Sequence, residues 1–181
     1  MNRSRSHIQP GSPTRAPDDY YPTHPDWTRG LLSVVDLGPR VWEPACGDGS
    51  IVKVLVEAGH DVRATDLRTG VDFLASDQPW DGAIVTNPPY SHWDAFTHHA
   101  LDLVDGEHPV AMLMPVPYLG GVRRNQALWS ARPPSEVVIV ARRMPFEAPH
   151  NNGRTSQFNH AWAVWNTGLG ISDDTLLRWV P

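Results

Sequence analysis

The chain has 181 residues, 40% of them apolar, and 15 Lys and Arg against 20 Asp and Glu leave a net charge of −5. That length supports one domain with a substantial core. The acidic balance argues against a protein that coats nucleic acid with a uniformly basic surface. The lone Cys46 excludes an intramolecular disulfide and fits a reducing cytosol. No apolar run reaches membrane-spanning length, and the first residues lack the apolar stretch of a signal peptide.

Residues 1–18 are rich in Arg, Ser and Pro and are expected to be disordered, either a solvated tail or a basic arm. Residues 19–181 then form a single domain. Val41-Trp42 is a short buried strand ending at Glu43-Pro44. Ser50 to Ala58 places apolar residues at 51, 52, 54, 55 and 58, a helical face that Gly59 stops. Asp61 to Thr65 is a second strand and Ala83 to Thr86 a third, ended by Asn87-Pro88-Pro89. The stretch between Leu67 and Asp81 is too short for a full helix–strand–helix unit, so an element is lost or shrunk there. Trp93 to Val104 is a helix, Val110 to Met114 a strand, and Val122 to Ala131 a helix. Val137 to Ala141 and Phe158 to Trp165 are strands with no helical pattern between them, which suggests an antiparallel closing hairpin. The alternation predicts an α/β fold, a doubly wound and mostly parallel sheet covered on both faces. Eight Trp are more than a core of this size needs, so some of the rings are expected at a site or contact surface.

Ligands of such sheets sit at the carboxyl ends of the strands, and three segments there have suitable chemistry. In Glu43-Pro44-Ala45-Cys46-Gly47-Asp48-Gly49, small residues let the backbone approach a ligand, and the helix that follows offers N–H groups to a carboxylate. An ordinary tight turn has the same composition. Asp66, about 20 residues on, can accept hydrogen bonds from both hydroxyls of a ribose, or can be a helix cap. In Asn87-Pro88-Pro89-Tyr90, the Asn side-chain carbonyl and the Pro88 main-chain carbonyl can accept both hydrogens of an exocyclic amine. The prolines hold that geometry, and the Tyr90 ring offers a surface for a planar base or amide. Accepting both hydrogens turns the nitrogen lone pair out of conjugation and toward an electrophile.

With these segments the chain resembles the amino-methylating S-adenosylmethionine enzymes, most of all small phage- and prophage-type adenine-N6 DNA methyltransferases. Glu43 to Gly49 is similar to their methionine-binding motif, and Asn87-Pro88-Pro89-Tyr90 to their catalytic motif. Asp19 to Pro25 resembles the segment that caps the cofactor, with a His inserted between Thr23 and Pro25, and Asp72-Phe73 matches the contact with the cofactor's adenine. The resemblance spans roughly Asp19 to Trp165. It implies a seven-strand Rossmann-like sheet and S-adenosylmethionine bound by Tyr21, Thr23, Glu43, Pro44, Ala45, Cys46, Gly47, Asp48, Gly49, Asp66, Asp72, Phe73 and Asn87. It implies catalysis at Asn87, Pro88, Pro89 and Tyr90, a DNA substrate, and a cytoplasmic setting in a bacterial host or a phage-encoded origin. The larger restriction-type members carry a separate target-recognition domain, and none is expected here after Trp165. Specificity is then expected to be low, or to be supplied by a loop or a second subunit, and a homodimer is the other partner to expect. An RNA base or a protein glutamine amide is the alternative acceptor, and a non-catalytic partner subunit the alternative role.

Direct attack by an amine needs no covalent enzyme intermediate, so Cys46 is expected to pack in its turn rather than act as a nucleophile. The nine His match no closed ligand spacing, and no metal is expected. Residues 111–160 hold Arg123, Arg124, Arg132, Arg142, Arg143 and Arg154 against only Glu136 and Glu147. The connection from Arg142 to Gln157 should leave the carboxyl edge of its strand beside the site. Its Arg142, Arg143, Arg154, Asn151 and Asn152 can contact phosphates or base edges, or the segment is a plain polar loop.

Overall fold

A single residue's shift along a strand changes the face on which its side chain lies, and the apolar strands of this chain use both faces. The computed structural model describes residues 22–141, 159–167 and 174–181. Its strands are β1 (Arg40–Glu43), β2 (Asp61–Ala64), β3 (Ala83–Thr86), β4 (Val110–Pro115), β5 (Glu136–Val140), β6 (His160–Trp165) and β7 (Leu176–Val180). They form one sheet in the order β2-β1-β3-β4-β6-β5-β7. Only β6 runs against its neighbours, antiparallel to both β4 and β5. The doubly wound, mostly parallel sheet with an antiparallel hairpin is therefore present.

The helices are α1 (Pro25–Leu32), α2 (Ser50–Glu57), α3 (Trp93–Val104) and a short α4 (Val122–Arg124). On one face of the sheet, Trp27 and Leu31 of α1 and Ile51 and Leu55 of α2 bury against Val41, Val85, Leu113, Val138 and Trp162. On the other, Phe96, Ala100 and Val104 of α3 pack on Ile84, Val110, Met112 and Ala163. Adjacent residues such as Val41 and Trp42, or Leu113 and Met114, go to opposite clusters, which is why these strands read as unbroken apolar runs. The segment from Leu67 to Asp81 contains two 3-10 turns, Leu67–Thr69 and Phe73–Ala75, and no strand. Without that strand β2 is an edge of the sheet.

Three features depart from the sequence pattern. The helix expected over Val122 to Ala131 is α4 followed by a π-helical turn, Asn125–Trp129. Neither α1 nor β7 was apparent in the sequence. α1 starts on an unusual cap, the His24 Nδ1 accepting from the Asp26 N–H at 3.2 Å, with Pro25 in the first turn. β7 adds to β5 in parallel, and the buried Glu136 carboxylate accepts from Arg178 Nε across that pair. α1 and β7 meet at Gly30, where an added Cβ would stand 2.8 Å from Val180 Cγ2.

The tryptophans serve the core more than the surface. Trp27, Trp42, Trp93 and Trp162 are fully buried. Trp42 donates to Thr65 Oγ1 at 2.8 Å, Trp93 to the Leu113 carbonyl at 2.8 Å and Trp162 to the Trp27 carbonyl at 3.0 Å. Each of these three donors thus buries a large apolar area and still satisfies its one polar group. Among the described residues no helix is long and apolar enough to cross a membrane.

Candidate active site

β1 and β3 are parallel neighbours, so the turns that follow them leave the same edge of the sheet one strand spacing apart, about 4.8 Å. The first turn hangs on Glu43, the last residue of β1, which is wholly buried. Its Oε1 accepts from the Ala45 N–H at 3.0 Å, while Oε2 has no hydrogen-bond partner among the described residues. Burial pushes this carboxyl up to about 8. The Thr86 hydroxyl, close but out of hydrogen-bonding geometry, and the Ala45 N–H offset only part of that. A buried carboxyl oxygen without a partner suits an ammonium group.

The turn is pinned to the end of β2. Cys46 N–H donates to the Thr65 carbonyl at 3.0 Å and Gly47 N–H to Asp66 Oδ2 at 2.9 Å. Gly49, at φ +85°, caps α2 without a side-chain bond, and a Cβ there would meet nothing within 4 Å. The backbone at that position faces open space in a conformation that favours glycine. The Asp48 carboxylate accepts from the Ser50 N–H at 3.1 Å and from its hydroxyl at 2.6 Å. Burial, with Glu43 and Asp66 nearby, pushes the Cys46 thiol up, away from the thiolate a nucleophile requires.

Asp66 is more committed than its sequence position suggests. Oδ1 accepts from the Arg68 N–H at 2.9 Å and from Arg68 Nε at 3.0 Å, and Oδ2 accepts from Arg68 Nη2 at 3.3 Å as well as from Gly47. Burial works to raise its pKa, but the bonds from Arg68 and Gly47 prevail and hold the carboxyl below its ordinary value. A ribose would share this carboxylate with Arg68 or displace it. Asp72 accepts from the Leu74 N–H at 3.0 Å and caps the second 3-10 turn. The Phe73 ring is 2% exposed and packs on Trp42, Phe96 and His99. Its side chain belongs to the core, so what this residue can offer a ligand is main chain.

In the second turn, Asn87 Nδ2 donates to Thr23 Oγ1 at 3.0 Å. Thr23 is buried just ahead of α1. Pro88 is buried, and the His92 N–H closes onto the Pro89 carbonyl at 2.9 Å, so Tyr90 starts a tight 3-10 turn. Three residues that the sequence pattern did not single out surround this turn. Tyr118 Oη donates to the Tyr90 carbonyl at 3.4 Å, with its ring edge-on at 6.0 Å. Buried His160, the first residue of β6, lies 3.0 Å from Tyr90 Oη, and Trp27 stacks on its imidazole at 4.5 Å. The only sequence signal for His160 is an ionisable residue in an otherwise apolar strand.

Thr23, the Glu43 to Gly49 turn, Asp66 and the Asn87 to Tyr90 turn are thus brought to one edge of the sheet. Tyr21, Arg142, Arg143, Asn151, Asn152 and Arg154 lie outside the described residues. β5 runs with β4, since both oppose β6, so the chain does leave β5 at the carboxyl edge. Among the described residues no group of three or more His, Cys, Asp or Glu could hold a metal ion.

No family model matches the sequence, and no curated protein matches it. Solved structures do match its fold. A protein assigned as a class I S-adenosylmethionine-dependent methyltransferase from Listeria monocytogenes aligns with 84% of this chain at TM-score 0.56 and 12% identity. A predicted O-methyltransferase from Agrobacterium tumefaciens covers 87% of this chain and 85% of its own length, at TM-score 0.56 and 11% identity. The fold is that of the class I methyltransferases. The type IIG restriction endonuclease BpuSI aligns with 78% of this chain at TM-score 0.51 and 13% identity. The chain spans 62% of the Listeria protein's length and 24% of BpuSI's.

Proposed function

We propose that this chain transfers a methyl group from S-adenosylmethionine to an exocyclic amino nitrogen, N6 of adenine in DNA above other acceptors. The observation that carries the proposal is the Asn87-Pro88-Pro89-Tyr90 turn. It stands at the carboxyl end of β3, beside the Gly-rich turn of β1, with its Asn amide oriented by Thr23. The class I methyltransferase fold supports the cofactor, and the fold likeness to a restriction endonuclease supports DNA as the acceptor.

The residues present fit S-adenosylmethionine. The Glu43 Oε2 atom without a partner would take its ammonium group, and the backbone of Ala45 to Gly49 would take its methionine part. Asp66 would take the ribose, Asp72 and the Phe73 main chain the adenine, and Thr23 with Tyr21 would close over it. When bound, the cofactor supplies a methyl group made electrophilic by its sulfonium. The protein supplies the rest. A base swung out of the duplex stacks on Tyr90. Asn87 Oδ1 and the Pro88 carbonyl accept the amine's two hydrogens. Those acceptors stabilise the positive charge that grows on nitrogen as the new bond forms, so they act on rate more than on binding. Arg142, Arg143 and Arg154, on the connection that leaves β5 at this edge, would contact phosphates.

Incubating the purified protein with tritiated cofactor and DNA, RNA or protein in parallel, followed by nucleoside and amino-acid analysis, tests the proposal. Label in N6-methyladenine of DNA is expected. Label in RNA or in glutamine would move the acceptor, and no label in any of the three would remove the activity.

A further inference from the structure

His160 is a buried, ionisable side chain that the account of amine capture does not use. It is 3% exposed, at the start of a strand that is apolar from Ala161 to Trp165. Its Nε2 shares a hydrogen bond of 3.0 Å with Tyr90 Oη. Either the imidazole N–H donates to the phenol oxygen, or the hydroxyl donates to the bare ring nitrogen, according to the tautomer. The two rings are nearly parallel, 26° apart at 6.3 Å. Behind the imidazole, the Trp27 indole stacks at 4.5 Å and 24°. Tyr118 stands on Tyr90 from a different direction, its ring tilted 65°.

A tyrosine on a turn has little to fix its ring unless something holds the far end of the side chain. Here a buried imidazole does so, and the imidazole is itself backed by an indole. We infer that His160 is a positioning residue for acceptor capture. It holds the ring of Tyr90 in the plane on which the acceptor base stacks, and Trp27 holds His160. The inference rests on the proposal that Tyr90 is the stacking platform. The chain at the start of α1 then braces the catalytic turn twice, through Thr23 just ahead of the helix on Asn87 and through Trp27 of the helix and His160 on Tyr90. Stacking by itself needs only the ring of Tyr90, so from the sequence Tyr90→Phe should be tolerated. The His160 contact changes that, because removing the hydroxyl leaves a buried imidazole nitrogen without it.

The test uses His160→Ala, His160→Gln, Tyr90→Phe and the pair His160→Ala/Tyr90→Phe. Kinetics on DNA give KM and kcat, and calorimetry gives the cofactor Kd. Fluorine NMR of protein carrying fluorotyrosine reads the ring itself, with the Tyr90 signal assigned by its loss in Tyr90→Phe. His160→Ala is expected to raise KM for DNA roughly tenfold, the weight of one buried hydrogen bond and its stranded partner. Cofactor Kd should be unchanged, and the Tyr90 signal should move toward its denatured position. His160→Gln, whose amide nitrogen reaches about where Nε2 lies, should restore most of KM. The pair should be no worse than either single variant, as expected when both changes break one contact. Unchanged KM and an unmoved Tyr90 signal in His160→Ala would overturn the inference, as would equal loss of cofactor affinity with no rescue by Gln. Should the wild-type protein methylate no acceptor, the proposed function fails, while the fluorine signal still decides whether His160 holds Tyr90.

Discussion

From β1 to β3 the residues proposed for the chemistry lie in the turns that end the strands, each turn a short contiguous run: Glu43 to Gly49, then Asn87 to Tyr90. The region built from α1, β6 and β7 carries no such run, yet it holds those turns in place. Thr23 reaches Asn87, His160 reaches Tyr90, and Trp27 lies across His160. Glu136 and Arg178 fasten β7, and Val180 of β7 fits into the notch at Gly30 of α1. Under the proposed function, the contrast is between residues that would touch a ligand and residues that fix where those residues stand. The first group is adjacent in sequence because a turn must present several groups at once. The second is scattered because each member needs only to arrive at the right point of the sheet.

The sharpest way to break this comparison is to remove a contact residue without disturbing its support. Asn87→Ala should lower the single-turnover methylation rate on DNA on the order of a hundredfold or more, the usual weight of one aligned acceptor or donor at a developing charge. Cofactor affinity, measured by calorimetry, should stay near wild type. A fully active variant would mean that the amine is held elsewhere.

Glu43 gives the next effect, through pH. Its folded value of about 8 lies above the ordinary 4.5. Below pH 4.5 both folded and unfolded chains hold the proton, and the group has no effect. Between about 4.5 and 8 the unfolded chain ionises while the folded chain stays protonated, so stability falls as pH rises through that window. Denaturant titrations of the cofactor-free protein should show that slope, and Glu43→Gln should remove it. The same variant should bind S-adenosylmethionine more weakly, because the ammonium loses a carboxylate partner. A wild-type slope retained in Glu43→Gln would assign it to another group.

Asp66→Ala should weaken cofactor binding by about 1–3 kcal/mol, the cost of stranded charge-assisted bonds. Because Asp66 also holds Gly47, the partner variant Arg68→Ala sharpens the result. If Asp66 serves the ribose, freeing it from Arg68 leaves affinity unchanged or raises it. Unchanged affinity in Asp66→Ala would remove the ribose role. The smallest effect belongs to the bracing region. Gly30→Ala drives a Cβ to 2.8 Å from the stiff Val180 side chain and should cost about 1–3 kcal/mol of stability, read as a lowered Tm. Any loss of activity should follow the folded fraction. A variant as stable as wild type would show that α1 and β7 are not tightly docked.

Much of this molecule was legible beforehand because its strands are buried on both faces and its helices are bounded by glycine. β1 to β6, α2 and α3 fall within a residue or two of the sequence pattern. α1 escaped because a His cap is unusual, and because Thr23-His24-Pro25 resembles a loop that closes over a cofactor. β7 escaped because Leu176 to Trp179 are mostly exposed at a sheet edge and show no clean alternation. The place of the Phe73 ring among Trp42, Phe96 and His99 is not legible in the sequence, because those three residues lie 23 or more positions away. His160 was invisible because its partner, Tyr90, is 70 residues away in sequence.

A structure of the protein with the demethylated cofactor and an adenine-containing oligonucleotide tests the central claim most directly. The account predicts the adenine ring lying on Tyr90, with its amino group within hydrogen-bonding distance of Asn87 Oδ1 and the Pro88 carbonyl. It also predicts the cofactor's ammonium against Glu43. An adenine seated away from the turn at the end of β3, with its amino group out of reach of Asn87, would contradict it.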